Sequence, residues 1–328
     1  IVHRRGWDAC ERCGGAERLG HRMAVGDVRS AGAAAAQAVV AATLEHGVVV
    51  IPGQNLSRAE QVAFSAAMGE VVVLPPSFEG QDPEPGHPAI QRATNFWANG
   101  TWKGKGHSFG AYWHQDGQFW PRSHRHVLSV LYCSQAPATG GQTGFADLRE
   151  ALRTLSKPLR ARAERASIVA SVRDIRDFTR NGDEAELALF DEAVHPLVDT
   201  APSSEAPTVA EAEGTREATL FLGSPHMRTA GLPEGEGPEL LRLLFQHATS
   251  PSFTYYHHWT PGDVVVWDNT VTLHHAFPYV NDGSVKRELF RTQVRLRPTE
   301  AHMKLGGQAG SEGRPRWLGS DGKPVWVS

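Results

Sequence analysis

Tyr112-Trp113-His114-Gln115-Asp116 is the stretch on which the reading of this chain turns. In extended backbone, residues i and i+2 point to the same side, so His114 and Asp116 can converge on one point while Gln115 faces away. A third ligand to a shared cation must come from another strand folded back across the first. The run from Val264 to His275 (Val-Val-Val-Trp-Asp-Asn-Thr-Val-Thr-Leu-His-His) offers one. Two imidazoles and one carboxylate on one face of a metal, with the other face open, commonly build a mononuclear non-haem iron site. Adjacent strand residues point to opposite faces, so only one of His274 and His275 can ligate.

Working outward, β-rich pieces are expected at Tyr112–Phe119, Val127–Cys133, Phe253–Trp259, Asp263–Trp267, Thr270–Phe277 and Glu288–Arg297. Many short strands that bring distant histidines together predict a mainly β fold of the α+β class. Its core would be a double-stranded β-helix (jelly roll, cupin-like), with helices outside and the metal in the mouth between two sheets. Nearer the N-terminus, Ala33–Leu44 is helix-prone and Gly47 can stop it; Val48–Ile51 reads as a buried strand. Ser57-Arg58-Ala59-Glu60 is a capping box, opening a helix to about Met68. Asp147–Arg165, Asn181–Ala193 and Glu236–Ala248 read as helical, and Pro75–Pro88, with five prolines, as an extended loop. The expected organisation is an irregular segment at 1–26, one domain at 27–300 with a lid or insert at 181–215, and an irregular tail at 301–328.

Composition narrows the function classes. Of 328 residues, 40% are hydrophobic and 21% charged, as in a globular protein. The net charge of -3 gives no global field for nucleic acid or an anionic membrane. No apolar run approaches the roughly eighteen residues that span a bilayer. Cys10 and Cys13 form a single C-x-x-C without the second pair of a zinc ribbon, and Cys133 stands alone. The chain opens at Ile1 and shows no hydrophobic signal core in its first 25 residues, so a cytoplasmic location is expected.

Taken together, the motifs resemble the TauD/TfdA family of iron(II)- and 2-oxoglutarate-dependent dioxygenases. The resemblance rests on Trp113-His114-Gln115-Asp116 with Phe119, Gly140-Gly141-Gln142-Thr143, Trp267-Asp268-Asn269 with His274 five residues after the Asn, and Arg287-Glu288-Leu289-Phe290-Arg291. It implies that His114, Asp116 and His274 hold Fe(II). It implies that Arg287, helped by the Thr143 hydroxyl, pairs with the distal carboxylate of 2-oxoglutarate, the co-substrate consumed with O2. Arg291, on the same strand face as Arg287, would meet the co-substrate's other end or an anionic group of the substrate. His195-Pro196-Leu197 and His247-Ala248-Thr249 look like the branch acting on aryloxyacetates. On that likeness His226 and Arg228 are substrate-site candidates, and Asn95 resembles a family position near the substrate; Tyr112 and Phe119 join them as aromatics around the first metal motif. The chain departs from the family in carrying Thr270 after Trp-Asp-Asn, and Leu74-Pro75-Pro76-Ser77-Phe78 where taurine-cleaving members bind substrate through a histidine.

Other readings stay blander. His275 is expected to be structural, His257-His258 ordinary strand packing, Arg122–His126 a solvated loop, and Asp268 a turn residue. The expected activity is oxidation of a C–H bond, hydroxylation by default, in a small organic acid or amino-acid-like molecule with an apolar body, releasing succinate and CO2. A zinc-type hydrolase on the same ligands leaves Arg287 and Thr143 without a purpose. A non-catalytic 2-oxoglutarate binder leaves the complete triad without one. The expected partner is a small molecule, not nucleic acid or a membrane; a homo-oligomer is compatible with all of this.

Overall fold

The computed structural model describes residues 18–30, 32–74, 83–104, 110–121, 127–171, 173, 192–199 and 217–296. Helix α1 (Gly32–His46) stops at Gly47, whose φ of 78° favours glycine and whose N–H donates to Thr43 O at 2.8 Å. Strand β2 (Val48–Ile51) follows and pairs in parallel with the short β1 (His21–Arg22). Helix α2 (Arg58–Met68) opens with the expected capping box: Glu60 N–H donates to Ser57 Oγ at 3.3 Å, and Ser57 N–H to Glu60 Oε2 at 2.7 Å.

The later strands of the large sheet are β3 (Glu70–Val72), β4 (Pro83–Glu84), β5 (His87–Thr94), β6 (Val127–Gln135), β14 (Val264–Asp268) and β16 (Glu288–Arg295). They run in the order β1-β2-β14-β6-β16-β5-β4, with β3 sharing the outer edge of β16. Facing them is a small antiparallel sheet, β13-β7-β15, made of β7 (Thr143–Asp147), β13 (Thr254–His257) and β15 (Thr272–Ala276).

Period-two alternation decides what each face does. Val49, Ile51, Leu128, Val130, Val264, Val266, Phe290 and Val294 turn outward and pack on Ala36, Val39, Phe64 and Met68 of the two helices. Val48, Val50, Leu131, Cys133, Val265, Trp267 and Leu289 turn inward, against Phe145 of the small sheet and Trp259. Two facing sheets with helices outside make the expected double-stranded β-helix core. Phe145 is fully buried between them, so its truncation to alanine should cost about 3–5 kcal/mol.

A third cluster covers the back of the small sheet. It joins Ala146 and Leu273 to α3 (Leu148–Arg153), α4 (Lys157–Ala163), α5 (Glu236–Ala248), β8 (Ser167–Ala170) and β11 (Thr219–Leu220). β8 also pairs with β9 (Ala193–Pro196) and β12 (Arg228–Ala230), and β11 with β10 (Val198–Asp199).

Five expectations need correcting. The segment 1–26, expected to be irregular, holds strand β1, because His21 and Arg22 find a parallel partner in β2. Tyr112–Phe119 is not a strand: only His114 joins a ladder, as an isolated bridge to His274, and Gly117 at φ 78° turns the chain. The single helix expected at Asp147–Arg165 is two, interrupted at Thr154–Ser156, with Pro158 in the first turn of the second. Within Pro75–Pro88, the described part forms β4 and the start of β5 rather than loop. Residues 193–196 and 198–199 of the expected lid are paired strands. The rest of that lid, the helix at 181–191, Arg122–His126, Cys10, Cys13 and the 301–328 tail lie outside the described residues.

Candidate metal centre

The isolated bridge is what assembles the site. His114 N–H donates to His274 O at 3.0 Å, and His274 N–H to His114 O at 2.8 Å, which fixes the two histidines directly opposite each other. Their rings lie 4.1 Å apart. His114 Nε2 is 3.9 Å from Asp116 Oδ1, and His274 Nε2 is 3.7 Å from Asp116 Oδ2. One potential ligand atom from each of the three residues lies within 4.8 Å of the others, and no other such group of three occurs among the described residues. His275 points to the opposite face, its ring against Trp113 at 5.4 Å and Phe277 at 4.3 Å.

Gln115 faces away, as alternation requires, and its amide makes three hydrogen bonds. Its Oε1 accepts from Leu222 N–H at 2.8 Å and Gly223 N–H at 3.0 Å, and its Nε2 donates to Asn269 O at 2.7 Å. The residue between two candidate ligands therefore pins their loop to two other segments. Asn269 completes the clamp: its Oδ1 accepts from Trp267 Nε1 at 2.8 Å and Asp116 N–H at 3.3 Å, while its Nδ2 donates to Ser129 Oγ at 3.0 Å. Ser129 Oγ in turn donates to Asp116 Oδ2 at 3.0 Å. Asp268, expected in a turn, is the last residue of β14, paired with Leu128; its Oδ1 accepts from Thr270 N–H and hydroxyl in the turn that follows.

The donor set fits a divalent metal. His114 Nδ1 lies 2.8 Å from Tyr112 O; a carbonyl can only accept, so the proton sits on Nδ1 and Nε2 keeps its lone pair for a cation. Burial pushes the His114 imidazole below its usual pKa. His274 is pushed well below, by burial first and then by the neighbouring His114. Burial works against ionisation of Asp116, but Arg291, His274, His114 and the Ser129 hydroxyl together hold its carboxyl well below the usual range. The site thus presents two neutral imidazoles and a carboxylate, a combination consistent with Fe(II).

Two buried arginines stand near this site, Arg291 within β16 and Arg287 immediately before it. Arg291 NH1 donates to Asp116 Oδ2 at 2.9 Å, and its Nε donates to Gln91 Oε1 at 2.9 Å. Arg287 is buried, which lowers its pKa; its Nε donates to Gly141 O at a long 3.4 Å, and among the described residues no carboxylate lies within ion-pair distance. A Cβ at Gly141 would crowd Pro137, at 2.9 Å, and touch Arg287 Nε, at 3.4 Å. Thr143, two residues on, accepts from Trp259 Nε1 at 3.0 Å.

The substrate candidates scatter. Tyr112 stands beside His114 at 5.0 Å and meets the exposed His226 edge-on at 5.7 Å. Phe119 is buried in the helix-covered cluster against Trp120. Arg228 is exposed and ion-paired with Glu192. Asn95 serves the scaffold: its Oδ1 accepts from Arg287 N–H at 2.9 Å, and its Nδ2 donates to Asn281 Oδ1 and Val285 O. Sequence reasoning missed Ser129, Gln91 and Trp259. Ser129 carried a signal, being the polar residue on an inward face otherwise made of Leu131 and Cys133.

A family model described as "Taurine catabolism dioxygenase TauD, TfdA family" matches residues 13–293. The chain belongs to the TauD/TfdA family. It is an alpha-ketoglutarate-dependent dioxygenase with a His-Asp-His metal site. Within the family it is similar to the (S)-phenoxypropionate/alpha-ketoglutarate-dioxygenase of Sphingobium herbicidovorans, 30% identical over 262 residues, covering 77% of this chain and 84% of the relative. It is likewise similar to the alpha-ketoglutarate-dependent 2,4-dichlorophenoxyacetate dioxygenase of Cupriavidus pinatubonensis, 30% identical over 257 residues, covering 75% of this chain and 84% of the relative. The crystal structure of AAD-2 in complex with Mn(II) and N-oxalylglycine superposes with a TM-score of 0.67 at 27% identity, covering 86% of this chain and 97% of that one. No helix among the described residues is long and apolar enough to cross a membrane.

Proposed function

We propose that this TauD/TfdA dioxygenase hydroxylates a C–H bond of a small organic acid with an apolar or aromatic body. The observation that carries the reading is the position of Arg291. Its guanidinium sits 2.9 Å from the carboxylate of the metal triad, where an anionic group of a substrate would be drawn to the reacting face. Arg287, four residues earlier and immediately before β16, is the separate anchor for the distal carboxylate of 2-oxoglutarate. Thr143 assists there with its hydroxyl.

Iron(II) held by His114, Asp116 and His274 would, with 2-oxoglutarate and O2, supply the oxidising power, releasing succinate and CO2. The chain's own residues bind, orient and exclude water. Gln115 and Asn269 hold the ligand loop, and Ser129 and Arg291 keep Asp116 ionised. Tyr112 borders His114, with His226 against its far edge, and is a candidate for the apolar wall. The aromatic crowd expected around the first motif contributes less than its numbers, because Phe119 and Trp120 are core and Trp113 packs on His275 and Phe277.

Names of relatives support this substrate class: two 30%-identical relatives act on phenoxypropionate and 2,4-dichlorophenoxyacetate. A 28%-identical relative from Pseudomonas putida is a sulfate ester dioxygenase. The test is succinate formation with iron and 2-oxoglutarate against a panel of phenoxyalkanoates, alkyl sulfates, taurine and uncharged amides of the acids. Turnover confined to carboxylates supports the reading. Preference for sulfate esters or for the amides overturns it.

A further inference from the structure

We propose that Trp259 is a positioning residue for the co-substrate, acting through the direction in which the Thr143 hydroxyl donates; the inference rests on the reading that Thr143 meets 2-oxoglutarate. A hydroxyl has one proton and two lone pairs. The Thr143 oxygen accepts from the Trp259 indole N–H at 3.0 Å, and both residues are buried. With that bond made, the hydroxyl proton turns away from the indole. The segment carrying Thr143 also carries Gly141, whose carbonyl receives the Arg287 guanidinium, so a freed proton and an unneutralised cation serve one stretch of chain. Both suit a carboxylate: one supplies charge and the other a directed donor.

The indole is itself braced. Trp259 follows β13, and His257 on that strand meets its ring edge-on at 4.6 Å. His257 is held at both ring nitrogens, Nδ1 3.2 Å from the Tyr255 hydroxyl and Nε2 3.1 Å from Asp263 Oδ2. The same Asp263 oxygen accepts from Thr260 N–H at 2.9 Å, closing the turn immediately after Trp259. Neither the metal ligands nor the two arginines use this Tyr-His-Asp chain, in which His257 and Asp263 are buried and Tyr255 is half-buried. This geometry fixes the indole that donates to Thr143.

The experiment is a double-mutant cycle on the full chain loaded with Mn(II), with 2-oxoglutarate affinity read by calorimetry under nitrogen. Trp259→Phe removes the N–H and is expected to weaken 2-oxoglutarate by about 2- to 12-fold, the range of one net hydrogen bond, while leaving Mn(II) affinity unchanged. In a Thr143→Val background the same change should have no further effect. Thr143→Ser should restore the dependence on Trp259. If Trp259→Phe does not fold, benzothienylalanine at position 259 fills the tryptophan's volume without an N–H. An equal loss from Trp259→Phe in both backgrounds, or none in either, overturns the inference. If Thr143→Val alone leaves 2-oxoglutarate affinity intact, the underlying reading of Thr143 fails instead.

Discussion

Arg287 should behave oppositely in the free and the co-substrate-bound protein. It is buried, its Nε bond to Gly141 O is long, and no described carboxylate offsets its charge. Truncating one partner of a buried charge pair costs about 2–5 kcal/mol of binding, so Arg287→Met should raise the 2-oxoglutarate Kd about 30- to 4,000-fold. At a concentration 100 times the wild-type Kd, the ligand stabilises the wild type by about 2.7 kcal/mol. Even the smallest expected loss of affinity leaves the variant under about 1 kcal/mol. Without co-substrate, methionine replaces a poorly compensated buried cation, so the melting temperature should hold or rise. Calorimetry and thermal melts of the Mn(II)-loaded protein, with and without 2-oxoglutarate, separate the two effects. An unchanged Kd would refute the assignment. A free protein destabilised by more than about 1 kcal/mol would show that the guanidinium already has a strong partner, and the charge argument would fall.

Further outcomes follow from the site. Ser129→Ala should weaken metal binding about 10- to 100-fold, because it removes the hydroxyl that donates to Asp116; titration of the metal-free protein with Mn(II) checks this. His274→Ala should abolish high-affinity metal binding while His275→Ala leaves it nearly unchanged, and the reverse result in the same titration would reassign the ligand. His114 and His274 have depressed folded-state pKa values, so the unfolded chain binds more protons as pH falls through the ordinary imidazole value of about 6.5. Stability of the metal-free protein should therefore be full above that pH and decline below it toward the folded-state values, as melts at pH 5 and 7.5 would show. The same neutrality means that metal uptake at pH 7.5 should release almost no protons, which calorimetry in buffers of different ionisation enthalpy measures.

Local rules carried much of the fold. Alternation and capping were enough for β2, α2 and α5, whose expected and observed bounds coincide. They did not find β5, β8 or β9, whose strand character depends on partners distant in the chain, such as β16 for β5. The ligands were readable because a metal demands particular side chains at particular offsets. The clamp around them was not: Gln115, Asn269 and Ser129 act through contacts between segments that sequence does not place together. His114 and Asp116 do converge, but not on the strand that i, i+2 alternation supposes. One bridged residue and a turn, rather than a strand, bring His114 and Asp116 to the same point.

Gln115 stitches the ligand loop to Leu222, Gly223 and Asn269 with protein groups alone. The loop's shape therefore belongs to the folded chain and does not wait for a cation. Metal exchange becomes a local event, governed by access rather than by refolding. A cradle formed in advance from two imidazoles and a carboxylate also has little means of refusing a competitor: across first-row divalent ions, such donors bind copper and nickel more tightly than iron. Which ion the protein carries is then decided by what the surroundings supply, and purification in the presence of zinc or nickel should yield a correctly folded, wrongly loaded protein.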